Sequence, residues 1–120
     1  MENLLIAGTE TTPQISFIKD TGILSIEGKS LADNVKEVYK PAHDWLSAYS
    51  KQPGKQTELS IKLDYLNTET SKQFLDFFTI LKSIPNSKVV WNFSDEDEDM
   101  EEMGQELAEL SPVPFEFRSY

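Results

Sequence analysis

The chain has 120 residues, enough for one domain with a real core, and its 38% hydrophobic and 11% aromatic content is that of an ordinary globular protein. Its 21 acidic and 11 basic residues leave a net charge of −10, which argues against nucleic-acid backbones and anionic membranes as partners. The absence of cysteine excludes disulfides, thiolate metal sites and cysteine nucleophiles. The first residues, Met1 to Ile6, lack a basic segment followed by a long apolar run, and no stretch reaches transmembrane length. A cytoplasmic protein is expected.

In chain order, Leu4 to Ala7 reads as a short strand and Gly8 to Thr12 as a polar loop. Gln14–Lys19 and Ile23–Glu27 read as two strands joined through Asp20-Thr21-Gly22, a tight-turn signal, so a β-hairpin is predicted. Gly28-Lys29-Ser30 should end it as a turn. The tripeptide is not a phosphate-binding loop, because position 23, where the upstream glycine would stand, is isoleucine.

A first helix follows, capped by Asp33 or Asn34, with Glu37 at capping-box spacing from Asn34. Val35, Val38, Tyr39, Ala42, Trp45, Leu46 and Tyr49 form its apolar face. Pro41 lies inside this pattern and is expected to kink or divide the helix. Lys51 to Lys55 is the exit loop.

From Leu59 to Tyr65 apolar and polar residues alternate, the period of a half-buried strand. Asn67, Thr68, Thr70 and Ser71 follow, residue types that accept from the free N–H groups of a helix start, and Asn67 or Thr68 is the expected cap. Phe74, Leu75, Phe77, Phe78 and Leu81 then set a helical period, predicting a helix from about Thr68 to Ile84, stopped by Pro85-Asn86. Lys88–Phe93 is a largely apolar, central strand. Strand, helix and strand over roughly 35 residues is the length of a right-handed βαβ crossover. A third helix is marked by Met100, Met103, Leu107 and Leu110, and Phe115–Arg118 alternates as a last strand. The predicted fold is α/β: one domain over residues 1–120, a mixed sheet with an N-terminal hairpin, a βαβ crossover and about three helices.

Candidate chemistry is sparse. The one histidine, His43, sits beside Asp44 at an angle off the apolar helix face and is expected to be solvated. The rival is a small enzyme with His43 as general base and Asp44 beside it. A triad would need a serine elbow, and no Gly-x-Ser-x-Gly is present. The acidic run Asp95–Asp99 fits no EF-hand frame and reads as carboxylates gathered at a helix start, or as a docking surface. No metal site, cofactor or catalytic constellation emerges, so a non-enzyme is expected. The hydroxyl cluster at 67–71 remains. A phosphate there would face free N–H groups and the positive helix end, while a partner packed on a neutral threonine would meet a dianion.

At this point the sequence resembles a known family, the SiaC family of bacterial regulatory phosphoproteins. The resemblance runs through Gly8-Thr9, Thr12-Pro13, Gly28, Asp44-Trp45, Tyr65-Leu66-Asn67-Thr68, Trp91, the acidic start of the third helix and Pro114-Phe115. It implies a target of a partner-switching system. A serine/threonine kinase related to histidine-kinase ATPase domains would phosphorylate Thr68, the threonine of Leu-Asn-Thr, and a PP2C-type phosphatase would reverse it. The unmodified form would bind and activate a diguanylate cyclase, linking the protein to cyclic di-GMP and biofilm control. Tyr65, Leu66, Asn67, Thr68, Glu69, Thr70 and Ser71 are the expected partner surface. The chain departs from the family pattern at Glu69-Thr70, where small residues are usual, and Thr70 or Ser71 would be minor acceptors. The layout is also similar to the anti-sigma-factor antagonists, whose partner switch acts on transcription. That is the alternative function.

Overall fold

In a computed structural model describing residues 1–120, the alternating segments assemble into one six-stranded sheet in the order β1-β2-β3-β4-β5-β6. The strands are β1 (Leu4–Ile6), β2 (Gln14–Ile18), β3 (Ile23–Ser30), β4 (Thr57–Leu66), β5 (Ser87–Phe93) and β6 (Phe115–Ser119). The helices are α1 (Val35–Tyr49), α2 (Thr68–Leu81) and α3 (Glu98–Leu110). β1 to β3 pair antiparallel, as expected of the hairpin, whereas β3 to β6 pair parallel. The crossover predicted through α2 is therefore one of three in succession, with α1 and α3 making the others. Right-handed crossovers that step in one direction leave their helices on one face.

That face is apolar in register. Phe17, Leu24, Leu59, Val89 and Phe115 align across the strands, and so do Ile15, Ile26, Ile61, Trp91 and Phe117. The opposite face carries Ser16, Ser25, Ser60, Val90 and Glu116 in one row. The half-burial read from the β4 alternation follows from this layering.

α2 lies over the centre. Phe74, Phe77, Phe78 and Leu81 are fully buried. Phe77 meets Phe17 and Tyr39 edge-on and stacks flat on His43. α3 approaches the sheet closely because Gly104 has no side chain: a Cβ there would run into the Trp91 ring. The Trp91 indole donates to the Met100 carbonyl at 2.9 Å and fixes that contact.

Three local expectations are corrected. Pro41 does not divide α1, which is continuous from Val35 to Tyr49. The proline faces solvent, and Tyr39 and Ala42 on either side are buried and hold the helix to the core. The capping box at Asn34 is not made: Asn34 forms no side-chain cap, and its amide reaches the Glu37 carboxylate at 3.3 Å instead. Gly28-Lys29-Ser30 is not a turn but the last part of β3, paired to β4 through a register shift.

Candidate functional site

The register shift shapes the site. Gly28 pairs with Leu63 and Lys29 with Tyr65, so Asp64 is the extra residue of a bulge in β4. Gly28 adopts φ +124°, a conformation that suits glycine. The bulge breaks the alternation expected through Tyr65. Leu63 and Leu66 face the core, while Asp64 and Tyr65 are both exposed, Tyr65 by 57%.

One residue later α2 begins. Asn67 is its N-cap in extended backbone (φ −90°, ψ 170°), and its Oδ1 accepts from the Thr70 N–H at 2.9 Å. The cap is thus Asn67 and not Thr68. The same Oδ1 accepts from the Thr70 hydroxyl at 2.7 Å, and the Asn67 amide donates to the Ala32 carbonyl at 3.2 Å. Behind the cap, the Thr70 and Ser30 hydroxyls lie 2.6 Å apart, and the Tyr39 hydroxyl donates to Ser30 at 2.9 Å. Burial pushes the Tyr39 phenol up to about 12, against the smaller opposing pull of its Ser30 hydrogen bond. It stays protonated and donates at the head of a chain, Tyr39 to Ser30 to Thr70 to Asn67, that ties α1, β3 and the cap together.

Thr68 is the first residue of the helix and is exposed. The capping is done by its neighbours Asn67 and Thr70. Glu69 is exposed and pairs with Lys72 at 3.2 Å. The half-buried Ser71 hydroxyl donates to the Thr68 carbonyl at 2.7 Å. Two residues expected on the partner surface are not there. Thr70 is 0% exposed and Leu66 9%, because the bulge and the cap turn them inward. Thr70 is therefore not presented as a second acceptor.

The junction borders a groove of about 240 Å³ between β4 and the start of α3. Tyr65, Leu66, Met100 and Met103 line it, with the carboxylates of Asp64, Asp97 and Asp99. From sequence the acidic run reads as a helix start or a docking surface but not as a neighbour of this junction, since only the parallel pairing of β4 with β5 brings the two helix starts to one end of the sheet. The acidic run behaves as an N-terminal cluster: Asp97 caps α3 by accepting from the Met100 N–H at 3.0 Å, with Glu98, Asp99 and Glu101 in the first turn.

His43 is not the solvated residue expected. It lies in the α1–α2 seam, its ring 4.0 Å from Phe77 and nearly parallel, with Nε2 3.0 Å from Gln73 Oε1. Burial holds its pKa below the usual value, opposed by Gln73 and by the carboxylates of Asp76 and Asp44. Asp44 is drawn away into an exposed pair with Lys40 at 2.7 Å. The two residues thus do not form an acid–base pair.

The chain is thus a mixed-sheet α/β protein with an exposed threonine at the head of its central helix and a cap built by other residues. A family model described as "SiaC family regulatory phosphoprotein" matches residues 6–120, and the chain belongs to that family. The fold agrees. The crystal structure of apo-SiaC from Pseudomonas aeruginosa superposes with a TM-score of 0.89 at 27% identity, over 98% of this chain and 99% of that one. SiaC in the crystal structure of diguanylate cyclase SiaD in complex with its activator, from the same organism, superposes with 0.90 at 27% identity and the same coverage. An uncharacterised protein of Pseudomonas aeruginosa strain UCBPP-PA14 is 27% identical over 124 residues, all of this chain and 98% of that protein.

Proposed function

We propose that this protein is a non-catalytic switch in which reversible phosphorylation of Thr68 controls binding to, and activation of, a diguanylate cyclase. The observation that carries the reading is the division of labour at the α2 start. Asn67 and the buried Thr70 hold the helix end, while Thr68 beside them is exposed. A phosphate on Thr68 would sit at the positive end of α2, where negative charge is stabilised. The fold would survive modification, and only the surface would change. The surface formed by Tyr65, Asn67, Thr68, Glu69 and Ser71, with Glu69 paired to Lys72, would accept the cyclase. The same surface carrying a dianion would require the partner to desolvate it, and association would be lost.

Membership of a regulatory phosphoprotein family supports modification, and the SiaD–SiaC complex supports a cyclase as the partner. A serine/threonine kinase would add the phosphate and a PP2C-type phosphatase would remove it. No cofactor is required. Kinase and cyclase would draw on ATP and GTP, which supports a cytoplasmic setting for the switch.

The test is reconstitution of the organism's diguanylate cyclase with the protein in both states, following cyclic di-GMP synthesis. Activation by the unmodified form and its loss on phosphorylation are expected. Equal activation by both forms, or binding to an anti-sigma factor in place of a cyclase, would overturn the reading.

A further inference from the structure

The exposed end of α2 holds an ion pair placed to respond to the modification. Lys72 is the single basic residue of α2. Its ammonium lies 3.2 Å from Glu69, with both side chains well exposed and free to move. Around it, Asp64, Asp97 and Asp99 line the adjoining groove, Lys29 of β3 lies by Asp64, Lys36 and Lys40 of α1 lie along the other side by Gln73 and Asp76, and the whole chain carries −10. A phosphate on Thr68 would add up to about two more negative charges to this end of the molecule.

We infer that Lys72 is the counter-ion of phosphorylated Thr68, leaving Glu69 to take up the new pair. The inference rests on Thr68 being the acceptor. Helix geometry favours the exchange. Residues 68 and 72 are one turn apart on one face, with the anion N-terminal to the cation, which is the better orientation for an i,i+4 pair. Glu69 holds Lys72 from the i,i+3 position with a single charge. The phosphate offers more charge and three acceptor oxygens to the same three-donor ammonium. Modification then changes two features of the surface. Thr68 becomes anionic, and the Glu69 carboxylate, formerly neutralised, stands free beside it. A carboxylate at position 68 has one charge and a shorter reach, so Thr68→Asp reproduces the exchange incompletely.

Phosphothreonine installed at position 68 during translation separates this inference from the identity of the kinase. The readout is the second ionisation of the phosphate, followed by phosphorus NMR as a function of pH. Lys72→Met should raise that pKa by about 0.3 unit or more relative to the unsubstituted phosphoprotein, the scale of a helix-surface pair. Lys72→Arg should restore it, and Glu69→Gln should lower it by freeing the ammonium. Lys82→Met removes the same net charge at the far end of α2 and should leave the titration unchanged. Glu69, Lys72 and Lys82 are all exposed, which makes the four variants compatible with the fold, as circular dichroism checks. A phosphate titration identical in Lys72→Met and the parent, or an equal shift in Lys82→Met, would overturn the assignment. Either result would leave Thr68 as the acceptor untouched. Conversely, kinase mapping to another residue would remove Thr68 from the switch whatever this titration gave.

Discussion

Two strand-to-helix junctions lie at the same end of the sheet and meet the same electrostatic demand in different ways. β5 enters α3 through the loop Ser94–Asp97, and the helix start is saturated with anions: Asp97 as cap, then Glu98, Asp99 and Glu101. β4 enters α2 through Asn67 alone, a neutral cap, with only Glu69 as an acid in the first turn. The anchoring differs too. Asn67 is backed by the hydroxyl chain of Thr70, Ser30 and Tyr39, whereas the Asp97 side chain contributes a single part-buried cap bond. The α3 start is permanently charged and locally held. The α2 start is neutral and deeply held. A helix end that is rigid but not yet neutralised by acids is the one suited to receive an anion later.

The comparison can be broken at several strengths. The packing beneath the two helices gives the largest effects. Phe77→Ala empties the position under α2 where Phe17, Tyr39 and His43 converge, and should cost about 3–5 kcal/mol in urea unfolding. Gly104→Ala presses a methyl into Trp91 beneath α3, and should cost about 1–3 kcal/mol. The caps come next. Thr70→Val keeps the shape but leaves Ser30 and Asn67 short of a partner in a buried place, and should cost about 1–3 kcal/mol. Asp97→Ala should lose about 1 kcal/mol, the usual value of a cap without support. If Asp97→Ala proved more damaging than Thr70→Val, the contrast between the two junctions would fail.

Thr68→Ala should be the smallest change, within about 0.5 kcal/mol, because the residue is exposed and its neighbours make the cap. A pH series adds a check on the α1–α2 seam. His43 has a folded pKa below its unfolded one, chiefly from burial, so the unfolded chain binds the proton first. Its contribution to stability is complete above the usual histidine range and declines as pH falls from there towards the lowered folded value. His43→Gln should flatten that part of the profile.

Much of this was legible in the sequence, and the exceptions share a cause. The hairpin, α2, the apolar β5 and the threonine at the helix head follow from local pattern, because alternation and capping chemistry act over a few residues. Tyr65 departs from the alternation because Asp64 bulges out of β4 opposite the Gly28–Lys29 step of another strand. Thr70 looked like one more surface hydroxyl. Its burial depends on Ser30 and Tyr39, 40 and 31 positions earlier in the chain. His43 looked solvated from its own helix angle, and Phe77 of α2 covers it. Each miss is a contact between elements that no local period encodes. The choice of Thr68 came from the family resemblance. The structure adds that this threonine is exposed and relieved of capping, which its neighbour Thr70 is not.

The central claim is that the exposed Thr68, and not a neighbouring hydroxyl, receives the phosphate. Incubation with the organism's cognate kinase and ATP, followed by mass spectrometric mapping, tests it directly. A single phosphate on Thr68, absent from Thr68→Ala and retained in Ser71→Ala, is the predicted result. Undiminished phosphorylation of Thr68→Ala, or a phosphate mapped to Thr70 or Ser71 in the parent protein, would contradict it.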